Sequence, residues 1–353
     1  MNISKETLLI TEKGEVVNLC TLENNHGIRV KITNYGGIIT HIFTPDRNGR
    51  SADIVLGLEN TRDYTNALYR EFCPYFGATI GRYCNRIRDG KFRIGSADYH
   101  LGSNDGIHHL HGGHTGFDKA VWMPEIGQSE NAVQLILTHF SPDGDEGYPG
   151  NLMAKVIFTL TQNDELITAY ECTTDQPTPL NLTNHVYFNL SGNFKGDILN
   201  HELSIRAGQI TETDRELIPT GRILPVENTV FDFRKPSLLK EKLLMHQGGF
   251  DQNYVLDDYL PEYLKMAARL SETNSGRVLE IYTTQPGIQL FTLQTDIYPL
   301  KIKGNLIPGQ IAGLALELQH FPDSPNHTGF PETLLSPGEV YNQKTVYRFS
   351  TMI

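Results

Sequence analysis

Side chains that face alternately in and out, with a period of two, run along most of this chain. Ile28, Val30 and Ile32 alternate with Arg29, Lys31 and Thr33. The same beat runs through 133–138, and Leu166, Thr168, Tyr170 and Cys172 alternate with Ile167, Ala169 and Glu171. Successive side chains of a strand point to opposite faces, so this pattern reads as half-buried β-strands. Turn clusters punctuate it: Asn34-Tyr-Gly-Gly37, Pro45-Asp-Arg-Asn-Gly49 and Pro142-Asp-Gly-Asp-Glu-Gly-Tyr-Pro-Gly150. Glycine and asparagine accept positive φ there, and proline presets the turn. Only 236–245 and 261–268 carry a helix-like pattern. No internal repeat, low-complexity tract or linker interrupts the chain. The pattern predicts an all-β fold, a large antiparallel β-sandwich with few short helices and long loops. At 353 residues, a sandwich of this kind can form a single domain spanning 1–353.

Charge narrows the partners. Lys and Arg total 30 against 41 Asp and Glu, a net charge of −11. An acidic chain without a Lys/Arg block is poorly suited to nucleic acid or to anionic membranes. No apolar run approaches the roughly 18 residues of a spanning helix. The start, Met1 to Ile10, lacks the apolar stretch of a signal peptide. Cys20, Cys73, Cys84 and Cys172 show no Cys-x-x-Cys spacing. They read as free thiols, and the expected location is the cytoplasm.

Candidate chemistry is spread along the chain. Glu317 is a lone carboxylate within the apolar run 311–318, just before the turn Pro322-Asp-Ser-Pro-Asn326. Two readings stand: an acid on the solvent face of an edge strand, or a buried acid whose pKa is pushed toward neutrality, as suits a general base. Arg82, Arg86 and Arg88 would share one face of a strand, with Asn85 on the other unless a bulge intervenes. They read as surface charge or as a hydrogen-bonding wall for a polyol or anion. His109 and His111 would share a strand face, which invites a metal. No acidic residue or cysteine stands at tight spacing beside them, and a polar pocket histidine is the better reading. His185, in Asn181-Leu-Thr-Asn-His-Val-Tyr-Phe-Asn189, is either a satisfied core residue or a proton donor. Asp251 and Gln285 sit on or beside short strands. Asp143-Gly-Asp145 lacks the other ligands of a calcium loop and reads as a plain turn.

In order, these segments resemble the aldose 1-epimerase (galactose mutarotase) family. The motifs are Asn34-Tyr-Gly-Gly37, Gly77-Ala-Thr-Ile-Gly-Arg-Tyr-Cys-Asn-Arg-Ile87, Leu110-His-Gly-Gly113 and Gly116-Phe-Asp-Lys119 with Trp122. The 143–150 turn, Leu182-Thr-Asn-His-Val-Tyr-Phe-Asn-Leu190, Ile218-Pro-Thr-Gly221 and Phe231-Asp-Phe-Arg234 follow. Gln285-Pro-Gly287, Leu316-Glu-Leu-Gln-His-Phe-Pro-Asp-Ser-Pro-Asn326 and Pro337-Gly-Glu339 complete the series. The resemblance implies a galactose mutarotase-like supersandwich that interconverts the α and β anomers of aldoses. It implies Glu317 as general base and His185 as general acid, with Arg82, His111, Asp251, Gln285 and Asn85 binding the sugar. Trp122 and the tyrosines and phenylalanines are candidates for stacking on it. No cofactor or metal is expected, and the partner is a small-molecule aldose acted on by a monomer or homodimer. The chain departs from the family pattern at His108-His109 and at Thr292–Thr295. Three rivals remain at this point: a phosphosugar epimerase that uses the arginines as a clamp, a sugar-binding module without turnover, and a metal-dependent hydrolase.

Overall fold

The alternating segments pair into antiparallel ladders in the computed structural model, which describes residues 1–72, 74–194, 196–295, 300–304, 306 and 309–352. Nine strands form the largest sheet, in the spatial order Met123–Gln128, Ala132–Ser141, Leu152–Thr161, Glu165–Thr174, Tyr341–Thr351, Arg277–Thr283, Lys265–Glu272, His201–Ile205 and Ser237–Leu238. The C-terminal strand therefore lies in the middle, between partners from opposite halves of the chain. Five N-terminal strands, Asn2–Ile10 to Ser51–Asp53, form a meander in sequence order. A six-stranded sheet runs Tyr187–Phe188, Ile311–Gln319, Gly287–Gln294, Asp251–Val255, Gln209–Thr213 and Pro219–Pro225.

One contiguous apolar cluster joins the three sheets. It takes Leu22, Val30 and Ile42 from the meander, Leu135, Val156, Leu166 and Ile281 from the nine-stranded sheet, and Leu290, Leu314 and Leu318 from the six-stranded one. Leu166, Thr168, Tyr170 and Cys172 are all buried, as their alternation predicts. The result is the expected all-β sandwich, with sheets packed face to face over an apolar interior.

Helix is confined to short pieces. Leu239–Met245 is helical, within the predicted 236–245. The predicted helix at 261–268 does not form. Lys265–Glu272 is instead a central strand between His201–Ile205 and Arg277–Thr283, and ladder pairing on both sides outweighs the local helix preference of its alanines. A helix that the pattern missed, Ala67–Phe72, follows Asn66, whose side chain accepts the Leu68 N–H in the manner of an N-cap. No helix among the described residues is long and apolar enough to cross a membrane. Cys20, Cys84 and Cys172 are buried free thiols; Cys73 lies outside the described residues.

The strand Ile311–Gln319 decides where the chemistry sits. It is buried on both faces beyond its first residue. Leu314, Leu316 and Leu318 enter the main core, so Gly313, Ala315 and Glu317 point the other way. Across the ladder, Glu317 pairs with Gln289 and Ala315 with Phe291, while Phe291 pairs with Asp251 on the next strand. Opposed residues share a face. Glu317, Gln289, Phe291 and Asp251 therefore stand together on the side away from the main core.

Candidate active site

That face floors a cleft of about 290 Å³, lined by Tyr75, Asn85, Arg86, His111, His185, Asp251, Phe291 and Glu317 among others. Ligand sites are typically concave, with a few polar groups among apolar walls. Here Tyr75, Tyr187, Phe291 and Leu293 supply the apolar part.

His185 reaches the cleft because its backbone is fixed to the 77–80 segment. Its N–H donates to Ala78 O, its carbonyl accepts from Gly77 N–H, and Asn184 Nδ2 donates to Gly77 O. Gly77 has φ +67°, and a Cβ there would lie 2.1 Å from Ile39 O. Only glycine allows that approach. The His185 ring lies between Tyr75 and Tyr187, with centroids 5.9 and 4.8 Å away. Its Nε2 stands 3.5 Å from Glu317 Oε1.

Burial moves both groups toward their neutral forms. It pushes Glu317 well above the usual carboxylate range, with Asp251 adding to the rise and Arg86 opposing it. It lowers His185 to about 3, against a small opposing hydrogen bond from its own backbone. Burial thus disfavours both the carboxylate and the imidazolium, and brings the proton affinities of the two side chains closer together than they are in water. A hydrogen-bonded wall stands beside them. Arg86 Nε donates to Asp105 Oδ2 at 2.8 Å, and its Nη1 lies 3.8 Å from Asp251 Oδ2. Gln289 Nε2 donates to Asp251 Oδ1 at 2.5 Å.

Of the residues assigned from the sequence, Glu317, His185, His111, Asp251 and Asn85 all line this one cleft. Arg82 does not. Its guanidinium is buried behind the site and spends every donor on the 141–150 loop. Nε donates to Ser141 Oγ, Nη1 to Pro149 O and Gly150 O, and Nη2 to Ser141 O and Pro142 O. Five bonds are all that a guanidinium offers. Arg86 is the arginine that lines the cleft. The expected strand with Arg82, Arg86 and Arg88 on one face is broken by Asn85 at φ +65°, which turns Asn85 and Arg86 into the same cavity. Arg88 instead pairs with Asp214.

Gln285 also lies outside the cleft. Its amide donates to Tyr341 Oη and to Leu182 O from the turn that precedes the strand. The amide on the Glu317 face of the sheet is Gln289, four residues on, which holds the cleft residue Asp251. Trp122 packs inside the core against Phe117 and His139 and does not reach the site. Tyr75 and Phe291 line the cleft and Gln289 supports Asp251 without having been singled out from the sequence, and Arg86, one of the three arginines read as a possible wall, takes the place assigned to Arg82. The period-two register from Glu317 could have found Gln289 and Phe291 once the two strands were paired; nothing local marks Tyr75.

The paired-histidine reading also changes. His111 has φ +53°, so the strand ends at Leu110 and the i, i+2 relation fails. His109 turns inward to Gly102 O and Tyr148 Oη. Among the described residues, the one group of three side chains with ligating atoms close together is His111, His185 and Glu317, within 4.8 Å of one another.

The aldose 1-epimerase family profile matches residues 18–348. The chain belongs to the aldose 1-epimerase family. It is 44% identical to mouse galactose mutarotase over 324 residues, covering 92% of this chain and 91% of the relative. It is 33% identical to the aldose 1-epimerase of Escherichia coli K12 over 98% of both chains. The fold matches that of an aldose epimerase homologue from C. elegans with a TM-score of 0.84, at 29% identity over 94% of this chain and 98% of that one. A galactose 1-epimerase from Lactobacillus acidophilus gives the same TM-score at 26% identity, over 100% and 99%.

Proposed function

We propose that this cleft interconverts the α and β anomers of free aldohexoses such as D-glucose and D-galactose by acid–base ring opening and reclosure. The observation that carries the reading is the buried His185–Glu317 pair, 3.5 Å apart at the floor of a polar cleft. Ring opening needs one proton removed from the anomeric hydroxyl and one delivered to the ring oxygen. Glu317 takes the first and His185 gives the second. The C1–O5 bond breaks to the open aldehyde. Rotation about C1–C2 presents the other carbonyl face, and the same groups then run in reverse.

The pair suits this cycle because the total number of protons on it does not change. Passing the single proton from Glu317 to His185 converts the neutral pair, which burial favours, into the carboxylate and imidazolium that opening requires. Each proton transfer contributes roughly 10²–10⁴-fold. Arg86, Asp251, His111 and Asn85 would orient the sugar hydroxyls so that O1 faces Glu317 and O5 faces His185, with Gln289 holding Asp251 in place.

The same geometry supports a neutral sugar over a phosphorylated one. Arg86 is already paired with Asp105 and lies beside Asp251, so its charge is balanced within the protein. The buried thiols Cys20, Cys84 and Cys172 support a reducing, cytoplasmic setting. Polarimetry on freshly dissolved α-D-galactose and α-D-glucose tests the reading. Faster decay to the same equilibrium rotation, lost in Glu317→Gln, is the expected result. No acceleration with either sugar, or undiminished acceleration by the variant, would overturn it.

A further inference from the structure

His111 is the third side chain against the proton-carrying pair, and its hydrogen bonding fixes what it can do there. The backbone N–H of Asn85 donates to His111 Nδ1 at 3.2 Å, and the His111 N–H returns a bond to Asn85 O at 3.1 Å. Both residues are in the left-handed region, at φ +65° and +53°. Asparagine tolerates that conformation better than most residues. Asn85 also folds its Oδ1 onto the next backbone N–H, that of Arg86, at 2.8 Å. A backbone N–H cannot act as an acceptor, so Nδ1 must offer its lone pair. In a neutral imidazole the proton then resides on Nε2. Both residues are nearly buried, at 4% and 6% exposed. Placing an N–H at Nδ1 would set two donors against each other with little access to water.

We infer that Asn85 locks His111 as a neutral Nε2–H donor, which holds a sugar oxygen but takes no part in proton transfer. This rests on the sugar-binding reading of the cleft and deepens it. The proton cycle is left to Glu317 and His185, and His111 selects for an oxygen that can accept a hydrogen bond at its position. The lock also bears on the cluster of possible metal ligands. Coordination through His111 Nε2 would require that proton to leave or to move to Nδ1, against the Asn85 N–H. The trio therefore lacks the third lone pair that its spacing suggests.

The test is ¹⁵N NMR of histidine-labelled protein at pH 7, with the His111 signals assigned by their loss in His111→Gln. The expected result is a protonated Nε2 and a bare Nδ1. A proton on Nδ1, or on both nitrogens, would overturn the inference. Asn85→Gly should leave the signature unchanged, because glycine keeps the left-handed backbone and its N–H; a switch of tautomer would refute the backbone lock. Kinetics give a second readout. The amide nitrogen of glutamine can stand near the lost Nε2, whereas that of asparagine reaches only the Nδ1 position. His111→Gln should therefore retain about tenfold more kcat/KM for galactose than His111→Asn, the worth of one hydrogen bond. Equal or reversed values would count against the donor role. If the wild type failed to accelerate mutarotation, the function reading would fall, while the tautomer would still be read independently.

Discussion

His185 Nε2 and Glu317 Oε1 face each other across 3.5 Å, with side chains only 5% and 2% exposed. Two titratable groups so close and so dry share their protons, and removing either leaves the other without its exchange partner. Glu317→Gln and His185→Asn should each lower kcat by about 10²-fold or more. Sugar binding, followed by calorimetry, should weaken far less. Near-normal turnover in either variant would remove that residue from the proton cycle.

The pH dependence follows from the same pair. The working form carries one proton. Burial lowers His185 to about 3, so a second proton arrives only well below the ordinary histidine value of about 6.5. Glu317 is raised, so the last proton leaves only well above the ordinary carboxyl range. kcat/KM should fall on both sides, as a bell whose acid limb lies below the ordinary histidine value and whose alkaline limb lies above the ordinary carboxyl range. Asp251 raises Glu317 and Arg86 lowers it. The alkaline limb should therefore move to lower pH in Asp251→Asn and to higher pH in Arg86→Gln. Shifts in the same direction, measured by polarimetry after subtraction of the spontaneous rate, would sink this electrostatic account.

Stability carries the opposite signature of the site. A carboxyl whose folded pKa lies above its unfolded value binds more protons when folded. Between those two values the protein loses stability as pH rises. Glu317 is such a group, so Glu317→Gln should be inactive yet more stable at pH 8. The gain in Tm should be roughly 1–3 °C, for a change of about 1 kcal/mol. The gain should shrink at pH 4, where the unfolded carboxyl is protonated too. Calorimetric scans at the two pH values measure it, and an equal or negative change at pH 8 would contradict it.

Arg82 and Arg86 are four residues apart and should fail in different ways. Arg82→Met leaves the five oxygens that its guanidinium now satisfies without those donors. About 3 kcal/mol or more of stability should be lost, read as a lower denaturation midpoint. The folded fraction should keep most of its turnover. Arg86→Met should instead raise KM and lower kcat/KM, with the midpoint nearly unchanged. Loss of sugar affinity in Arg82→Met without loss of stability would restore Arg82 to the binding wall.

How much of this was written in the sequence depends on the range of the interaction. Alternation over 166–172 placed a half-buried strand because the signal is local and repeated. The polarity of Glu317 within an apolar run marked it for the same reason. The choice between Arg82 and Arg86 was not local. It turns on a left-handed Asn85 and on carbonyls of the 141–150 loop, about 60 residues away. The helix expected at 261–268 failed for a related reason, since one of the two ladder partners of the strand that replaces it, His201–Ile205, lies far upstream in the chain. Tyr75 reaches the histidines only through the fold, its ring 4.6 Å from that of His111.

Gln285 and Gln289 give the sharpest test of register. Gln289 lies directly across the ladder from Glu317 and holds Asp251 Oδ1 at 2.5 Å. Gln285 precedes the strand and faces Tyr341 and Leu182. Gln289→Ala removes a donor that lowers the Asp251 pKa, so Asp251 should rise and become a poorer partner for a sugar hydroxyl. KM for galactose should increase about tenfold, the scale of one charge-assisted hydrogen bond. Gln285→Ala should leave KM within about twofold and lower the denaturation midpoint, because Tyr341 Oη and Leu182 O lose a buried donor. The reverse pattern would mean that the amide preceding Pro286-Gly287 holds the sugar after all, and that the cleft reorganises around its ligand by more than a side-chain rotation.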